Sequence, residues 1–392
     1  MYDFTYYTPT KVVFGRDAES QIGALVREQG CSKVLIHYGG GSAKRSGLLD
    51  TVTASLDSAG VSYITLGGVV PNPRLSLVYE GIRLSKEAGV DFILAVGGGS
   101  VIDSSKAIAY GLANEGDVWD FYCGKRTPTA CYPVGAVLTI AAAGSEMSNS
   151  SVITNEDGWS KRGYNNDICR PKFAVMNPER TMTLPDYQTA SGCVDIMMHT
   201  MERYLGHGDT MELTDALAEG LLRTVMKDAV ILRDDPKNYD ARAEVMWASS
   251  LSHNGLTGCG SDGGDWASHR LEHEIGGMFD VAHGAGLAAI WGSWARYVYR
   301  ERPDRFAKLA VNVLGVQPAA TDEETALLGI AAMEDFYRSI HMPTNMRELG
   351  LNVTDEQLEE LADKCSATAG DNLGKMKVLH RADMLAIYTA AR

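Results

Sequence analysis

Apolar positions recur at two different periods along this chain, and the change from one to the other divides it. From the start to about residue 185, short β-rich runs alternate with segments of helical period. Lys33 to Tyr38 (KVLIHY), Val61 to Leu66 and Asp91 to Val96 (DFILAV) read as strands, and Ser46 to Ala59, Leu75 to Ala88 and Val101 to Leu112 as helices. A parallel strand pair needs a long crossover, and an intervening helix supplies it, so this alternation predicts a doubly wound parallel sheet covered on both faces. Beyond Leu184-Pro185 long helical periods take over: Gln188 to Tyr204, Thr214 to Arg233, Ala241 to Leu256, Gly284 to Tyr299 and Asp322 to Ile340, the last opened by Thr321 as an N-cap. The expected organisation is an α/β domain over 1–187 and an all-helical domain over 188–392. No repeat of solenoid length is visible.

Composition narrows the classes of function. The 392 residues suit two or three domains at roughly 150 residues each. With 36 basic and 50 acidic side chains the net charge is −14, and no basic stripe offers itself to phosphate backbones, so nucleic acid is not an expected partner. No charged leader with an apolar run opens the chain and no span of about 18 apolar residues occurs, so neither secretion nor membrane insertion is expected. Seven cysteines lie scattered without a CxxC spacing, which fits a reducing cytoplasm and free, largely buried thiols.

Two glycine clusters carry the first chemical signal. Gly39-Gly40-Gly41-Ser42 follows the strand ending at Tyr38, and Gly97-Gly98-Gly99-Ser100 follows the one ending at Val96; each leads into a helix. At the carboxyl end of a parallel strand, backbone without side chains lets a ligand approach, and the next helix points its free N–H groups at an anion. A phosphate-bearing ligand is the natural occupant. Neither cluster is a GxGxxG fingerprint or a P-loop, and each alone could be a tight turn. The run Leu138 to Glu146, rich in small and hydroxyl side chains, would suit a ligand's sugar and phosphate or simply form a packed loop.

The second half holds an Asp and His constellation. Asp195 and His199 are four residues apart on a helical stretch, about 40° apart on one face. His269 and His273 repeat that spacing, and His283 follows. An Asp with imidazoles suits Fe²⁺ or Zn²⁺ and suits Mg²⁺ poorly. His253 stands outside the two segments. HRLEH at 269–273 also matches the H-x-x-E-H of inverted zinc peptidases, with Glu272 as base, but that reading leaves the glycine loops, Asp195 and His199 unexplained.

With these residues in hand, the chain resembles the iron-containing (group III) alcohol dehydrogenases, within them the NADPH-dependent butanol dehydrogenase and aldehyde reductase branch. The resemblance runs from Thr8 to Arg392 through YGGGS (38–42), PNP (71–73), AVGGGSVID (95–103), GSE (144–146), TLP (183–185), VDIMMHT (194–200), NYDAR (238–242) and DWASHRLEHEIGG (265–277). It implies a dinucleotide-binding α/β domain and a helical metal-binding domain of the dehydroquinate-synthase-like type, with the active site in the cleft between them. It implies Asp195, His199, His269 and His283 as metal ligands, and His273 beside nicotinamide and substrate. Gly97, Gly98, Gly99 and Ser100 with Asp103 would hold the pyrophosphate, while Asn72 of the PNP motif, Thr139, Ser145, Lys161 and Leu184 match further cofactor positions. It also implies a homodimer.

At the first cluster, members that use NADH tend to carry an Asp that repels a 2′-phosphate; here Gly39, Gly40, Gly41 and Ser42 are followed by Lys44 and Arg45. NADPH is therefore the expected cofactor, with NADH the second candidate. Three features depart from the family: its LPATGSE reads Thr139-Ile140-Ala141-Ala142-Ala143-Gly144-Ser145-Glu146, its DP is Asn177-Pro178, and Glu272 adds a carboxylate inside the histidine motif with no role yet assigned.

The expected reaction is hydride transfer between NAD(P)H and a short- to medium-chain aldehyde or alcohol such as butanal or butanol, with the metal stabilising the developing alkoxide and His273 relaying the proton. Trp266, Met147, Met197 and Met278 suggest an adaptable apolar pocket wall. The competing readings are a glycerol-dehydrogenase-like polyol oxidoreductase, a dehydroquinate-synthase-like lyase and a non-catalytic nucleotide-binding protein.

Overall fold

The computed structural model describes residues 1–208 and 211–392. It falls into two compact units, Tyr7–Thr183, and Leu184–Arg392 together with Met1–Tyr6. The first six residues thus pack with the helical unit; the Tyr2 amide donates to the Gly260 carbonyl at 2.9 Å.

The first unit is built on eight strands: β1 (Lys11–Phe14), β2 (Lys33–Tyr38), β3 (Ser62–Leu66), β4 (Phe92–Gly97), β5 (Val134–Leu138), β6 (Ser150–Asn155), β7 (Ser160–Asn165) and β8 (Phe173–Met176). Six of them form one sheet in the order β1-β8-β5-β4-β2-β3, every pair parallel. Burial on both faces follows from the side-chain alternation. Val34, Ile36, Leu94 and Val96 pack under helices Ile22–Glu28 and Leu48–Ser58, while Leu35 and Ile93 face the cluster of helices Leu75–Ala88 and Gly99–Ala113. β6 and β7 form a separate antiparallel hairpin that the sequence reading did not separate from loop, because their half-polar runs SSVITN and SKRGYN show no clean alternation.

The chain runs from β2 outward to β3 and then returns to the other side of β2 as β4. The strand order therefore reverses between β2 and β4, and the two glycine clusters lie at the carboxyl ends of these adjacent strands. That is the place where open α/β sheets bind ligands.

The second unit is helical. Helix Asp186–Tyr204 is buried almost continuously from Ser191 to Tyr204 and forms its centre, packed by helices Glu212–Asp234, Tyr239–His253 and His283–Val298. Helices Ala267–Phe279 and His283–Val298 are neighbours joined by a three-residue link, Asp280-Val281-Ala282. The Thr321 side chain caps helix Asp322–Ser339 by accepting from the Glu324 amide. No helix among the described residues is long and apolar enough to cross a membrane.

Candidate functional site

In the α/β unit most of the expected cofactor residues lie at or just beyond the carboxyl ends of β2, β4 and β5, with Asn72 after β3 and Lys161 on β7. Gly39, Gly40 and Gly41 close β2 and lead into the short helix Ser42–Arg45, which places Lys44 and Arg45 beside the cluster. No Asp or Glu stands between Tyr38 and Leu49. After β4, Gly98 is the N-cap of helix Gly99–Ala113, which contains Ser100 and Asp103. Close approach demands these glycines: a Cβ on Gly99 would stand 2.9 Å from the Cβ of Ala143, and one on Gly98 3.1 Å from Ile140. Ala143, one of the positions that depart from the family pattern, therefore packs directly on the glycine turn. The Thr139 amide donates to the Gly97 carbonyl at 3.1 Å and ties the loop after β5 to the same turn.

Asp103 is committed to the protein. Its Oδ1 accepts from the Ser145 hydroxyl and its Oδ2 from the Val152 amide at 2.9 Å, so it fastens the Ala141–Ser150 segment to the helix below the glycines. Sequence reasoning passed over its neighbour Lys106. This fully buried ammonium donates to the carbonyls of Ser145 (2.7 Å), Ser148 (3.0 Å) and Ser150 (2.7 Å) and to the Ser145 hydroxyl (2.9 Å). Burial lowers its pKa, opposed by nearby acidic groups, Asp103 and Glu146 among them. Lys161 is buried on β7, and Asn72 takes a left-handed backbone conformation (φ 53°). Leu184 is the first residue of the helical unit.

In the helical unit three of the four expected ligands, His199, His269 and His283, converge on a carboxylate oxygen of the fourth, Asp195. Asp195 and His199 stand one turn apart on helix Asp186–Tyr204, His269 lies on helix Ala267–Phe279, and His283 opens helix His283–Val298. Asp195 Oδ1 lies 3.3 Å from His199 Nδ1, 3.8 Å from His269 Nε2 and 3.8 Å from His283 Nε2. Asp195 Oδ1, His199 Nδ1 and His269 Nε2 are buried and make no hydrogen bond. Burying polar atoms unpaired costs several kcal/mol in total, so three of them facing one another fit a shared cation rather than a packed core. One carboxylate and three imidazoles are a donor set for Fe²⁺ or Zn²⁺.

The electrostatics point the same way. Burial pushes His199 well below its ordinary pKa, helped by the neighbouring imidazoles of His253 and His269, so it stays neutral as a ligand must. Burial also acts to lower His269, but the Asp195 and Glu202 carboxylates outweigh it and hold the group raised to about 9. The two carboxylates thus call for positive charge at this point, which a divalent ion meets.

Around the four residues lies a supporting layer that the sequence reading missed or left unassigned. Glu202 Oε1 accepts from His269 Nδ1 and from the His269 amide, both at 3.0 Å, and so turns Nε2 toward Asp195. Its signal was present: Glu202 is three residues past His199, on the same face. Glu272 is fully buried and hydrogen-bonded to Nδ1 of His283. His253, read as outside the constellation, sets its ring edge-on against His199 with centroids 3.9 Å apart. Trp266 packs 5.2 Å from the His269 ring in a left-handed conformation (φ 63°). Among the other suggested wall residues, Met197 is fully buried within the central helix, and Met147 is buried in the α/β unit. His273 is buried one turn beyond His269, with its ring 5.7 Å from that of His283.

Comparison with known proteins agrees with these parts. The family model "Iron-containing alcohol dehydrogenase" matches residues 9–178, and "Fe-containing alcohol dehydrogenase family, C-terminal" matches 189–392. The chain is 42% identical over its full length, and that of the relative, to the probable NADH-dependent butanol dehydrogenase 1 of Bacillus subtilis. It is 34% identical, again over both full lengths, to the NADPH-dependent aldehyde reductase YqhD of Escherichia coli. The crystal structure of NADH-dependent butanol dehydrogenase A from Thermotoga maritima superposes with a TM-score of 0.96 at 38% identity, covering 100% of this chain and 99% of that one. The chain therefore belongs to the iron-containing alcohol dehydrogenase family and is a metal-dependent, NAD(P)-dependent oxidoreductase of alcohols and aldehydes.

Proposed function

We propose that Asp195, His199, His269 and His283 hold one divalent ion, Fe²⁺ or Zn²⁺, and that the preferred reaction is reduction of a short- to medium-chain aldehyde such as butanal by NADPH, with NADH as the lesser cofactor. The observation that carries the metal assignment is the convergence of three imidazoles, those of His199 and His269 buried and that of His283 half-buried, on Asp195 Oδ1. A bound ion supplies a Lewis acid that stabilises negative charge developing on the substrate oxygen, and the nicotinamide supplies the hydride.

The chain's own residues do the rest. Glu202 orients His269, and burial keeps His199 neutral. Gly97, Gly98, Gly99 and Ser100 present backbone N–H groups and a helix N-terminus to the pyrophosphate, with Asp103, Thr139 and Ser145 shaping that turn. Asn72, Lys161 and Leu184 complete the cofactor set. His273 delivers a proton to the product oxygen from its imidazole. The absence of a carboxylate from Gly39 to Ser42, with Lys44 and Arg45 adjacent, favours a 2′-phosphate on the ribose.

Initial rates of NADPH oxidation with butanal, on chelator-stripped protein and after adding back Fe²⁺ or Zn²⁺, test the core of this reading. Activity should vanish on stripping and return with one ion. Lys44→Ala/Arg45→Ala should raise the KM for NADPH while leaving that for NADH unchanged; an equal rise for both would refute the phosphate assignment. His273→Ala with unchanged turnover would remove the relay.

A homodimer and a cytoplasmic location complete the proposal. Met1, Tyr2, Phe4, Tyr6 and Tyr7 are exposed along the N-terminal segment, which carries no strand pairing, and suit contact with a second copy. All seven cysteines are free thiols. Light scattering of the full chain and of Tyr2→Ser/Phe4→Ser should show a dimer weakened by the substitutions.

A further inference from the structure

Glu272 is the carboxylate by which the histidine motif departs from the family pattern, and its surroundings give it a purpose. It comes from helix Ala267–Phe279 and bonds to Nδ1 of His283, the first residue of the next helix. An ionised carboxylate only accepts, so the His283 proton sits on Nδ1 and the lone pair of Nε2 is left facing Asp195 Oδ1, 3.8 Å away.

Of the three histidines around Asp195, His283 has the greatest need of such a tether. Its side chain is 26% exposed, against 6% for His199 and 7% for His269, so packing holds its ring least. The facing helix is also shaped to admit the carboxylate. Gly286 lies three residues past His283, and a Cβ there would stand 2.8 Å from both Cγ and Oε1 of Glu272.

We propose that Glu272 is a positioning residue that fixes the tautomer and ring orientation of His283, and that Gly286 is the space that lets it do so. This rests on the reading of His283 as a metal ligand. Glu202 does for His269 what Glu272 does for His283, so both carboxylates act from the layer behind the ligands.

The test reads metal retention rather than turnover. Zn²⁺-loaded full-length protein is titrated with a colorimetric chelator, and the visible spectrum of Co²⁺-loaded protein reports the ligand field. Glu272→Ala should hold Zn²⁺ about 10–100-fold less tightly and shift the Co²⁺ bands. Glu272→Gln, whose amide oxygen accepts the same hydrogen bond, should recover most of that loss. Gly286→Ala should weaken retention in the wild-type background and add nothing in the Glu272→Ala background. If Glu272→Ala folds poorly, Glu272→Met fills the same volume without the acceptor and must show the same loss.

Retention unchanged in the alanine or methionine variant, a Glu272→Gln protein as weak as Glu272→Ala, or a Gly286→Ala effect that persists without the carboxylate would each overturn the proposal. Wild-type protein that holds no Zn²⁺ would instead defeat the ligand assignment itself.

Discussion

His37 offers a measurement whose size can be worked from its two partners. It lies on β2, one residue before the strand ends at the first glycine cluster, and is fully buried. Its Nδ1 is 2.9 Å from the Leu66 carbonyl, which can only accept, so Nδ1 carries the proton; Nε2, 2.8 Å from the Ser104 hydroxyl, then accepts. The neutral imidazole thus joins β2 to the end of β3 and to helix Gly99–Ala113. Burial, only partly opposed by the Leu66 carbonyl, pushes its pKa down to about 4.

In the unfolded chain the group titrates near 6.5. Between these values the unfolded state binds a proton that the folded state refuses. Stability supplied by neutral His37 is therefore complete above about pH 6.5 and falls as the pH drops toward 4. A gap of about 2.5 units at 1.36 kcal/mol each amounts to roughly 3 kcal/mol. His37→Gln retains a donor for Leu66 and does not titrate. Urea unfolding of both proteins at pH 7.5 and pH 4.5 should show the wild type losing roughly 2.5 kcal/mol more than the variant across that interval, which stops just short of the folded pKa. Equal losses in the two proteins would refute the assignment of a neutral, proton-refusing His37.

Other residues give sharper single-variant outcomes. Lys106→Met removes the donor that ties three carbonyls of the Ser145–Ser150 segment; it should cost about 2 kcal/mol in urea unfolding and weaken NADPH binding by fluorescence titration, with metal retention unchanged. At Gly284→Ala the new Cβ would fall on the main-chain carbonyl of Ser191, which cannot rotate away. A loss of about 3 kcal/mol or more is expected, with metal lost alongside because His283 is the preceding residue; a fully stable variant would show that the helix contact is looser than described. Asp215→Asn breaks a buried pair in which Arg305 donates to both carboxylate oxygens at 2.7 and 2.9 Å, and calorimetry should register about 3–5 kcal/mol of destabilisation.

Much of the fold was legible because local periodicity encodes which face of an element is buried. Helix 75–88 was read to its ends, since Leu75 and Val78 begin a clear apolar stripe and Gly89 supplies the left-handed stop. The β6–β7 hairpin was not, because the buried positions of β6 include the polar Ser151 and Thr154 and β7 buries Lys161, so burial there does not show as an apolar alternation. In the candidate site, Asp195 and His199 declared themselves by their spacing, whereas Lys106 looked like any helical lysine. Only folding turns it inward, where five oxygens surround one ammonium.

By itself, the sequence determined the alternation of strands and helices, the change to a helical half, the glycine turns after β2 and β4, and the residue types able to bind a nucleotide and a metal. Those features are set by interactions within a few turns or one strand length. Tertiary structure decided what the residues do to one another. Glu202 meets His269 across 67 residues, Glu272 meets His283 across a helix corner, and His253 closes on His199, none of which follows from spacing along the chain. The physical reason is that a metal centre is oriented by partners on neighbouring helices, and which helices become neighbours is settled by the packing of the whole unit.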